Sequence, residues 1–209
     1  MTAPAHTPLL RLVGGPDRGA SVDREETDDA ELVVRARSGD RWAEEALYRR
    51  HAPKVLNSAV HLLGRHADAD DVVQDAFVTA FERLDTLREP GAFRGWVCRI
   101  AVNLILHRLR RRKILRMLAL DGGTDDATFT LLASEGSRPD LRAELAELDR
   151  VLARLPTEQR VVWTLHRVEG WSLRETAELV DASTATVKRR LAAAASAIEV
   201  HRTGRGWTT

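Results

Sequence analysis

The sequence predicts an all-α protein of two small helical domains joined by a flexible polar linker, the C-terminal domain being a helix-turn-helix. Of the 209 residues, 44% are hydrophobic and 30% are charged, a balance typical of soluble helical proteins. Apolar residues recur at helical steps of three and four in two blocks, without strand-like alternation. Between the blocks, glycine, serine, threonine and acidic residues dominate, which is typical of a linker.

This pattern divides the chain into five segments. Residues 1–27 carry prolines, glycines and a charged run, and they bury little apolar surface, so we expect a disordered lead-in. The first helical domain is predicted for residues 28–113 and the linker for residues 114–139. The second helical domain is predicted for residues 140–202, followed by a short tail at 203–209.

Composition argues against several classes of protein. Cys98 is the single cysteine, so an intrachain disulfide framework is excluded and a reducing compartment is favoured. No apolar run approaches the ~20 residues that span a bilayer, and the N-terminal "LLRLV" is too short for a secretory signal. We therefore expect a cytoplasmic protein without membrane insertion.

The first domain begins with two helical segments. "DAELVVRARSGD" predicts a short helix that Gly39 closes, and "RWAEEALYRRHAPKVLNSAVHLLG" predicts a longer segment that Gly64 ends. Pro53 lies inside the second segment, where we expect a break or the first turn of a new helix. "LREPGAF" interrupts the pattern again before a long helix from Phe93 to Lys113.

The stretch "HADADDVVQDAF" predicts a helix with one apolar and one acidic face. Asp71 and Asp75 are four residues apart, so both carboxylates point the same way, alongside Gln74. A metal site would require ligands converging in a pocket, and a catalytic carboxylate pair would require a cleft. We expect neither on an exposed helix face, and Asp68 and Asp70 near its start would favour the helix dipole or cap it. The apolar face comprises Val72, Val73, Ala76, Phe77, Ala80, Phe81 and Leu84.

The helix "FRGWVCRIAVNLILHRLRRRK" combines aromatic, amide and cationic side chains. Trp96, Ile100 and Leu104, with Val97, are predicted to face a core. Arg94, Arg99, Asn103 and Arg110–Arg112 are predicted to project elsewhere. Such a helix suits nucleic acid, because aromatic rings stack on unpaired bases and arginines hold phosphates. The alternative for the terminal arginines is a solvated helix end favoured by its own dipole.

The C-terminal block "LPTEQRVVWTLHRVEGWSLRETAELVDASTATVKRRLAAA" predicts a helix-turn-helix. Gly170 ends one helix, and Ser172 with Glu175 forms a capping box for the next. "VDAS" supplies the turn, and Ser183 caps a second helix. The first helix buries Leu173, Ala177 and Val180, and the second buries Val187, Leu191, Ala194 and Ile198.

The outer face of that second helix carries the candidate DNA contacts. Small hydroxyls near its start can reach base edges, and the cations that follow can neutralise phosphates. The alternative is an ordinary helical hairpin whose basic side is merely solvated. The candidate residues are Ser183, Thr184, Thr186, Lys188, Arg189 and Arg190.

With both blocks considered, the chain resembles a bacterial RNA polymerase sigma factor of the extracytoplasmic-function group, from Asp28 to Arg202. "DADDVVQDAFVTAFERL" and "FRGWVCRIAVNLILHRLRRRK" are similar to that family's region 2, and the C-terminal block is similar to its region 4. The resemblance implies that the protein binds core RNA polymerase and promoter DNA, and that it has no catalytic residues, cofactor or metal. It further suggests an anti-sigma factor as a partner.

The resemblance also implies roles for individual residues. Asp71, Gln74 and Asp75 would dock on the polymerase, and "LREPGAF" would capture a flipped base. Region 4 would read the minus-thirty-five element, and Asp181 stands where the family's turn usually has glycine, although aspartate tolerates a left-handed backbone. The minus-ten element would be read by Phe93, Arg94, Trp96, Arg99, Asn103 and Arg110.

Two other functions compete with this interpretation. A stand-alone helix-turn-helix regulator would bind duplex DNA without polymerase. A metal-dependent hydrolase would be built on the aspartate-rich segment. Only the sigma-factor hypothesis accounts together for the acidic face, the aromatic basic helix and the long linker.

Overall fold

The computed structural model describes residues 27–64, 66–118, 147–148 and 150–204, and these residues form helices and short connections without any strand. The all-α prediction is confirmed. The expected disordered lead-in, most of the expected linker and the end of the tail lie outside the described residues.

The N-terminal unit contains four α-helices, of which the last three contact one another and the first contacts the second and the fourth. Two single 3₁₀ turns, Leu84–Thr86 and Pro90–Ala92, connect the third helix to the fourth. The helices are α1 (Asp29–Arg37), α2 (Arg41–Leu63), α3 (His66–Glu82) and α4 (Phe93–Met117).

Helix α2 is continuous through Pro53, so the predicted break there is wrong. Proline removes one backbone donor from the helix ladder, a cost that neighbouring contacts can offset. His51 and Val55 flank Pro53 and are both buried, so tertiary contacts hold the helix together at this point. The predicted ends are confirmed: Gly39 and Gly64 follow α1 and α2 with positive φ angles of 88° and 70°.

Helix α4 differs from the prediction in its length and in its buried face. It ends at Met117, beyond the expected Lys113. Trp96, Ile100 and Leu104, expected to face the core, are only partly buried against it. The helix is covered on two sides, by the N-terminal unit and by the C-terminal unit, so its buried arc is wider than one stripe. The buried residues are Phe93, Val97, Cys98, Ala101, Val102, Ile105, Leu106 and Leu109.

The C-terminal unit is built around the predicted helix-turn-helix. A helical segment at residues 150–154 precedes α5 (Thr157–Trp163), which continues into a π-helical turn (Thr164–Val168). Helices α6 (Leu173–Leu179) and α7 (Thr184–Gly204) follow. The capping box is confirmed, because the Ser172 hydroxyl accepts from the backbone N–H of Glu175 while the Glu175 carboxylate accepts from that of Ser172.

The two units lie against each other, and their buried side chains form one apolar cluster. Helix α4 contacts α5 and α6, and helix α2 contacts the π-helical turn. In the described part of the chain, every helix is too short or too polar to cross a bilayer.

Candidate nucleic-acid interface and acidic face

The start of α7 is shaped by Ser183 and by the turn that precedes it. The Ser183 hydroxyl accepts a hydrogen bond from the Thr186 backbone N–H at 3.2 Å, as a helix cap does. Asp181, in the turn, has a φ of 51°, the left-handed conformation that aspartate tolerates at this position, where the family's turn usually has glycine. Val187 and Ala194 are fully buried, and Leu191 and Ile198 are partly buried, so the predicted inner face is confirmed.

This orientation leaves the candidate face of α7 accessible. Ser183, Thr184, Lys188 and Arg189 are exposed, whereas Thr186 and Arg190 are half-buried. Hydroxyls therefore lie at the N-terminal end of an exposed helix face, and three cations follow within two turns. Such a face can place small polar groups against base edges and cations against phosphates.

The second candidate face runs along α4. Arg94, Arg99, Asn103 and Arg110 are exposed, and Trp96 is half-buried. Trp96, Arg99, Asn103 and Arg110 lie within about 60° of one another around the helix axis, so two cations, an amide and one indole edge follow a single surface, whereas Arg94 projects from the other side of the first turn. That combination can hold a sugar-phosphate backbone while a base stacks on the indole ring.

Phe93, expected among the residues that contact DNA, lies in the core and is fully buried. Its ring centroid is 5.5 Å from that of His51, 6.4 Å from that of Phe81 and 6.2 Å from that of Trp96. The prediction for Phe93 as a DNA contact is therefore wrong in this conformation. The signal for burial was present, because Phe93 and the buried Val97 are four residues apart on the same helix face.

The acidic face of α3 is exposed as predicted, but it is not isolated. Asp71, Gln74 and Asp75 are exposed. Arg108 of α4 pairs with Asp75 at 2.7 Å and approaches Asp71 at 3.9 Å. The acidic face is thus partly neutralised by one arginine from the neighbouring helix.

Asp68 makes a contact in addition to the role expected for it at the start of α3. Helix α3 begins at His66, so Asp68 lies inside the first turn, and its carboxylate pairs with Arg112 of α4 at 2.5 Å. The side chain therefore ties α3 to the end of α4 in addition to favouring the positive end of the helix dipole. Among the residues that the structure describes, no three histidine, cysteine or acidic side chains are grouped so as to hold a metal ion.

No pattern in the sequence indicated that the carboxylate of Glu169 would be buried. This residue follows the π-helical turn, and its side chain is only 1% exposed. Burial by itself would raise the pKa of Glu169, but the adjacent His61, Ser58 and Lys54 together hold that pKa below its usual value. A carboxylate of this kind remains ionised at neutral pH.

Comparison with known proteins identifies both halves of the chain. The family model described as "Sigma-70 region 2" matches residues 47–114, and the model described as "Sigma-70, region 4" matches residues 145–198. The sequence is 35% identical over 172 residues to the ECF RNA polymerase sigma factor SigM of Mycobacterium tuberculosis, covering 82% of this chain and 83% of SigM. It is 33% identical over 183 residues to the ECF RNA polymerase sigma-E factor of Escherichia coli, covering 84% and 94%.

Solved structures are similar in fold. The structure of CnrH in complex with the cytosolic domain of CnrY matches with a TM-score of 0.60 and 28% identity, covering 84% of this chain and 97% of that one. The sigma factor RpoE of Bartonella quintana, solved with the anti-sigma factor NepR, matches in fold with a TM-score of 0.56 and 23% identity, covering 71% and 89%. Two sigma-70 regions in the correct order, on a two-unit helical fold shared with these proteins, mean that the chain belongs to the extracytoplasmic-function sigma factors, which direct RNA polymerase to promoters.

Proposed function

We propose that this sigma factor reads its two promoter elements with one face of α7 and one face of α4. The observation that carries the proposal is the exposure of cationic and hydrogen-bonding side chains along each of the two helices. Both faces lie within the matched regions, α4 in region 2 and α7 in region 4.

The face of α7 would bind the minus-thirty-five element as duplex DNA. Ser183, Thr184 and Thr186 lie at the end of the helix that a helix-turn-helix protein directs at base edges in the major groove. Lys188, Arg189 and Arg190 would hold the flanking phosphates, a contribution that depends strongly on salt.

The face of α4 would bind the minus-ten element after its strands have separated. Trp96 offers a ring edge for stacking, and Asn103 offers an amide for a base edge. Arg94, Arg99 and Arg110 would follow the backbone of the separated strand. Phe93 would act indirectly, because its buried ring packs beside Trp96, with the two ring centroids 6.2 Å apart, and would hold that ring in place.

The acidic face of α3 would dock on the core polymerase. Asp71, Gln74 and Asp75 form an exposed polar patch opposite the buried face of the same helix. A basic surface on the polymerase would complement it, and complementary charge favours association with the correct partner. Arg108, which already contacts Asp71 and Asp75, would then have to share these two carboxylates with the basic surface of the polymerase.

Three further properties follow from the same proposal. The protein acts in the cytoplasm, where polymerase is found, and it has no catalytic chemistry of its own. An anti-sigma factor is a further partner, since RpoE was solved with one. Binding of such a partner would hold the sigma factor away from polymerase until a signal releases it.

Run-off transcription on a genomic promoter library, with and without core polymerase, tests the central proposal. We expect specific transcripts only when core polymerase and this protein are both present. Binding of the same promoters as duplex DNA should be weak without polymerase and strong with it. Equal, sequence-specific duplex binding without polymerase would instead support a stand-alone regulator.

A further inference from the structure

The contact between the two units centres on Glu169. Its carboxylate oxygen Oε2 accepts a hydrogen bond from the Ser58 hydroxyl at 2.6 Å and lies 3.3 Å from the Lys54 ammonium. Nδ1 of His61 lies 3.7 Å from Oε1. All three partners belong to α2, so a charge of the C-terminal unit is buried in a polar pocket of the N-terminal unit.

A buried carboxylate makes this contact specific rather than incidental. Glutamate is almost never fully buried unless it is paired, because transfer of an unpaired charge from water is very unfavourable. Glu169 is buried as a charged group because Lys54 and Ser58 surround it. The two units therefore fit in one relative position, and a shift between them would leave the carboxylate without partners.

Trp171 extends the contact to Arg94, one of the residues proposed to bind the minus-ten element. Its ring is buried, with only 5% exposed, and its indole Nε1 donates to the Glu169 carboxylate at 3.2 Å. The Arg94 guanidinium lies over the same ring, 4.9 Å from its centroid, and Lys54 lies 5.3 Å from it. A cation over an indole face is held there by the ring quadrupole.

Two further arginines proposed to bind the minus-ten element form ion pairs with the C-terminal unit. Arg99 donates to the Asp181 carboxylate at 2.8 Å, and Asp181 lies in the turn of the helix-turn-helix. Arg110 donates to Glu158 of α5 at 3.4 Å. Together with Arg94, three of the cations proposed to hold the separated strand are thus engaged by the C-terminal unit.

We propose that this arrangement is an autoinhibited state in which Glu169 latches region 4 onto region 2 and keeps the free protein from the separated minus-ten strand. The inference rests on the function proposed above, because it concerns the residues of α4 proposed to bind that strand. A guanidinium paired with Asp181 or lying on Trp171 is not available to a phosphate. The apparent affinity for DNA is then reduced by the fraction of molecules that are open.

The buried contact of Glu169 should respond less to salt than the neighbouring ion pairs Arg99–Asp181 and Arg110–Glu158. Arg99 and Asp181 are exposed, with side chains 46% and 78% accessible, so salt screens their attraction. Glu169 is shielded from solvent and is screened much less. Opening therefore requires the buried carboxylate to leave its pocket, which binding to polymerase would drive if polymerase holds the two units apart.

The test compares two full-length double variants with the same change in net charge. Glu169→Gln with Asp181→Asn removes two carboxylates from the contact, and asparagine keeps a residue that tolerates the positive φ of position 181. Glu45→Gln with Glu178→Gln is the control. It removes two exposed carboxylates whose partners, Arg49 and Arg174, lie in the same helices.

Two measurements are made on each protein. Spin labels at Arg83→Cys and Ser196→Cys, both exposed positions, report the distance between the units, since the buried thiol of Cys98 is shielded from the label. Fluorescence anisotropy then gives the affinity of the free protein for a single-stranded minus-ten oligonucleotide from a promoter that the holoenzyme transcribes.

We expect the latch variant to show longer and broader distances and to bind the oligonucleotide about tenfold more tightly than the control, as for a free protein that is open ~10% of the time. Unchanged distances would overturn the latch. Longer distances with the control's affinity would overturn autoinhibition.

Asp181→Asn alone leaves the buried pocket intact, so it serves as a second variant if the double variant unfolds. It should give a smaller gain in affinity in the same direction, and no gain would count against the proposal. Failure of the holoenzyme to transcribe would overturn the proposed function instead, while the distances would still decide whether the latch closes the protein.

Discussion

Arg108 of α4 donates a hydrogen bond to the Asp75 carboxylate of α3 at 2.7 Å and a second one to the backbone carbonyl of Asp68 at 2.9 Å. One arginine therefore joins the acidic face of α3 to the helix that carries the proposed minus-ten contacts. Any partner that binds the acidic face must compete with Arg108 or accept it as part of the interface. The side chain of Arg108 thus links the proposed docking surface to the helix that carries the proposed strand-binding residues.

Reversing the charge at Asp71 and Asp75 should abolish association with core polymerase while the protein stays folded. Like charges placed opposite each other across an interface cost several kcal/mol, whereas loss of the partly exposed Arg108 pair should cost only about 1 kcal/mol of folding stability. Fluorescence titration with core enzyme and thermal unfolding measure the two effects. Glu45→Lys with Glu178→Lys provides the same charge change elsewhere, and equal affinities for the two proteins would contradict the docking assignment.

Removing the cations of α7 should weaken duplex binding. Lys188→Ala with Arg189→Ala should lower the affinity of the holoenzyme for the minus-thirty-five element and reduce the salt slope by about 1 for each phosphate contact that is lost. Both side chains are exposed, so the fold should be unaffected. The measurement is affinity as a function of salt concentration. Arg49→Ala with Arg83→Ala is the charge-matched control, and an identical slope in both proteins would show that the recognition face lies elsewhere.

Truncating the amide of α4 should impair strand opening specifically. Asn103→Ala should reduce open-complex formation by roughly 2- to 10-fold, as expected for loss of a hydrogen bond worth about 0.5–1.5 kcal/mol, while duplex binding by region 4 is unchanged. Permanganate reactivity of unpaired thymines measures the opening. Asn57→Ala, an exposed asparagine on α2, is the control.

Trp96 tests the same surface. Because it is half-buried against Phe93, its replacement can also destabilise the fold. Trp96→Phe keeps a ring for stacking and should open promoters nearly normally, whereas Trp96→Ala should not. Thermal unfolding of both variants separates stacking from a loss of core contacts. Normal opening by Trp96→Ala would show that the ring serves the core alone.

His51 should make folding stability depend on pH. Burial lowers the pKa of His51 from its usual value near 6.5, although Asp29, 2.7 Å away, acts in the opposite direction. The unfolded chain therefore binds the proton more readily than the native protein. Stability conferred by neutral His51 is complete above pH 6.5 and is lost as the pH falls from there towards the lowered native pKa, by at most about 1.4 kcal/mol per pH unit. Urea unfolding between pH 7.5 and 5 measures this, and His51→Gln should show a shallower slope; equal slopes would mean that His51 is not the group responsible.

Cys98 should be unreactive in the folded protein. Burial raises the pKa of its thiol to about 11, and the negative charge of Glu169 acts in the same direction. Since the thiolate is the nucleophile, alkylation at pH 7.5 should be slow in the native state and rapid in urea. Mass spectrometry after timed exposure to iodoacetamide measures the two rates, with free glutathione as the reference thiol. Rapid native-state labelling would show that the surrounding helices open readily.

Local sequence determined the elements that depend on neighbours in the chain. The capping box of Ser172 and Glu175, the helix-ending Gly39 and Gly64, and the left-handed Asp181 were all predictable, because each is set by backbone geometry within a few residues. The apolar face of α3 was predictable for the same reason: its side chains repeat with the helical period. The resemblance to sigma factors, carried by such local blocks, gave the family.

Tertiary structure decided what depends on residues far apart in the sequence. Pro53 remains inside α2 because packed neighbours offset its missing hydrogen bond, and Phe93 is buried because His51, Phe81 and Trp96 enclose it. The pocket for Glu169 joins residues more than a hundred positions apart, so no spacing in the sequence could predict it. A charge can be buried only where the fold supplies its partners, and those partners meet only once the two units have packed together.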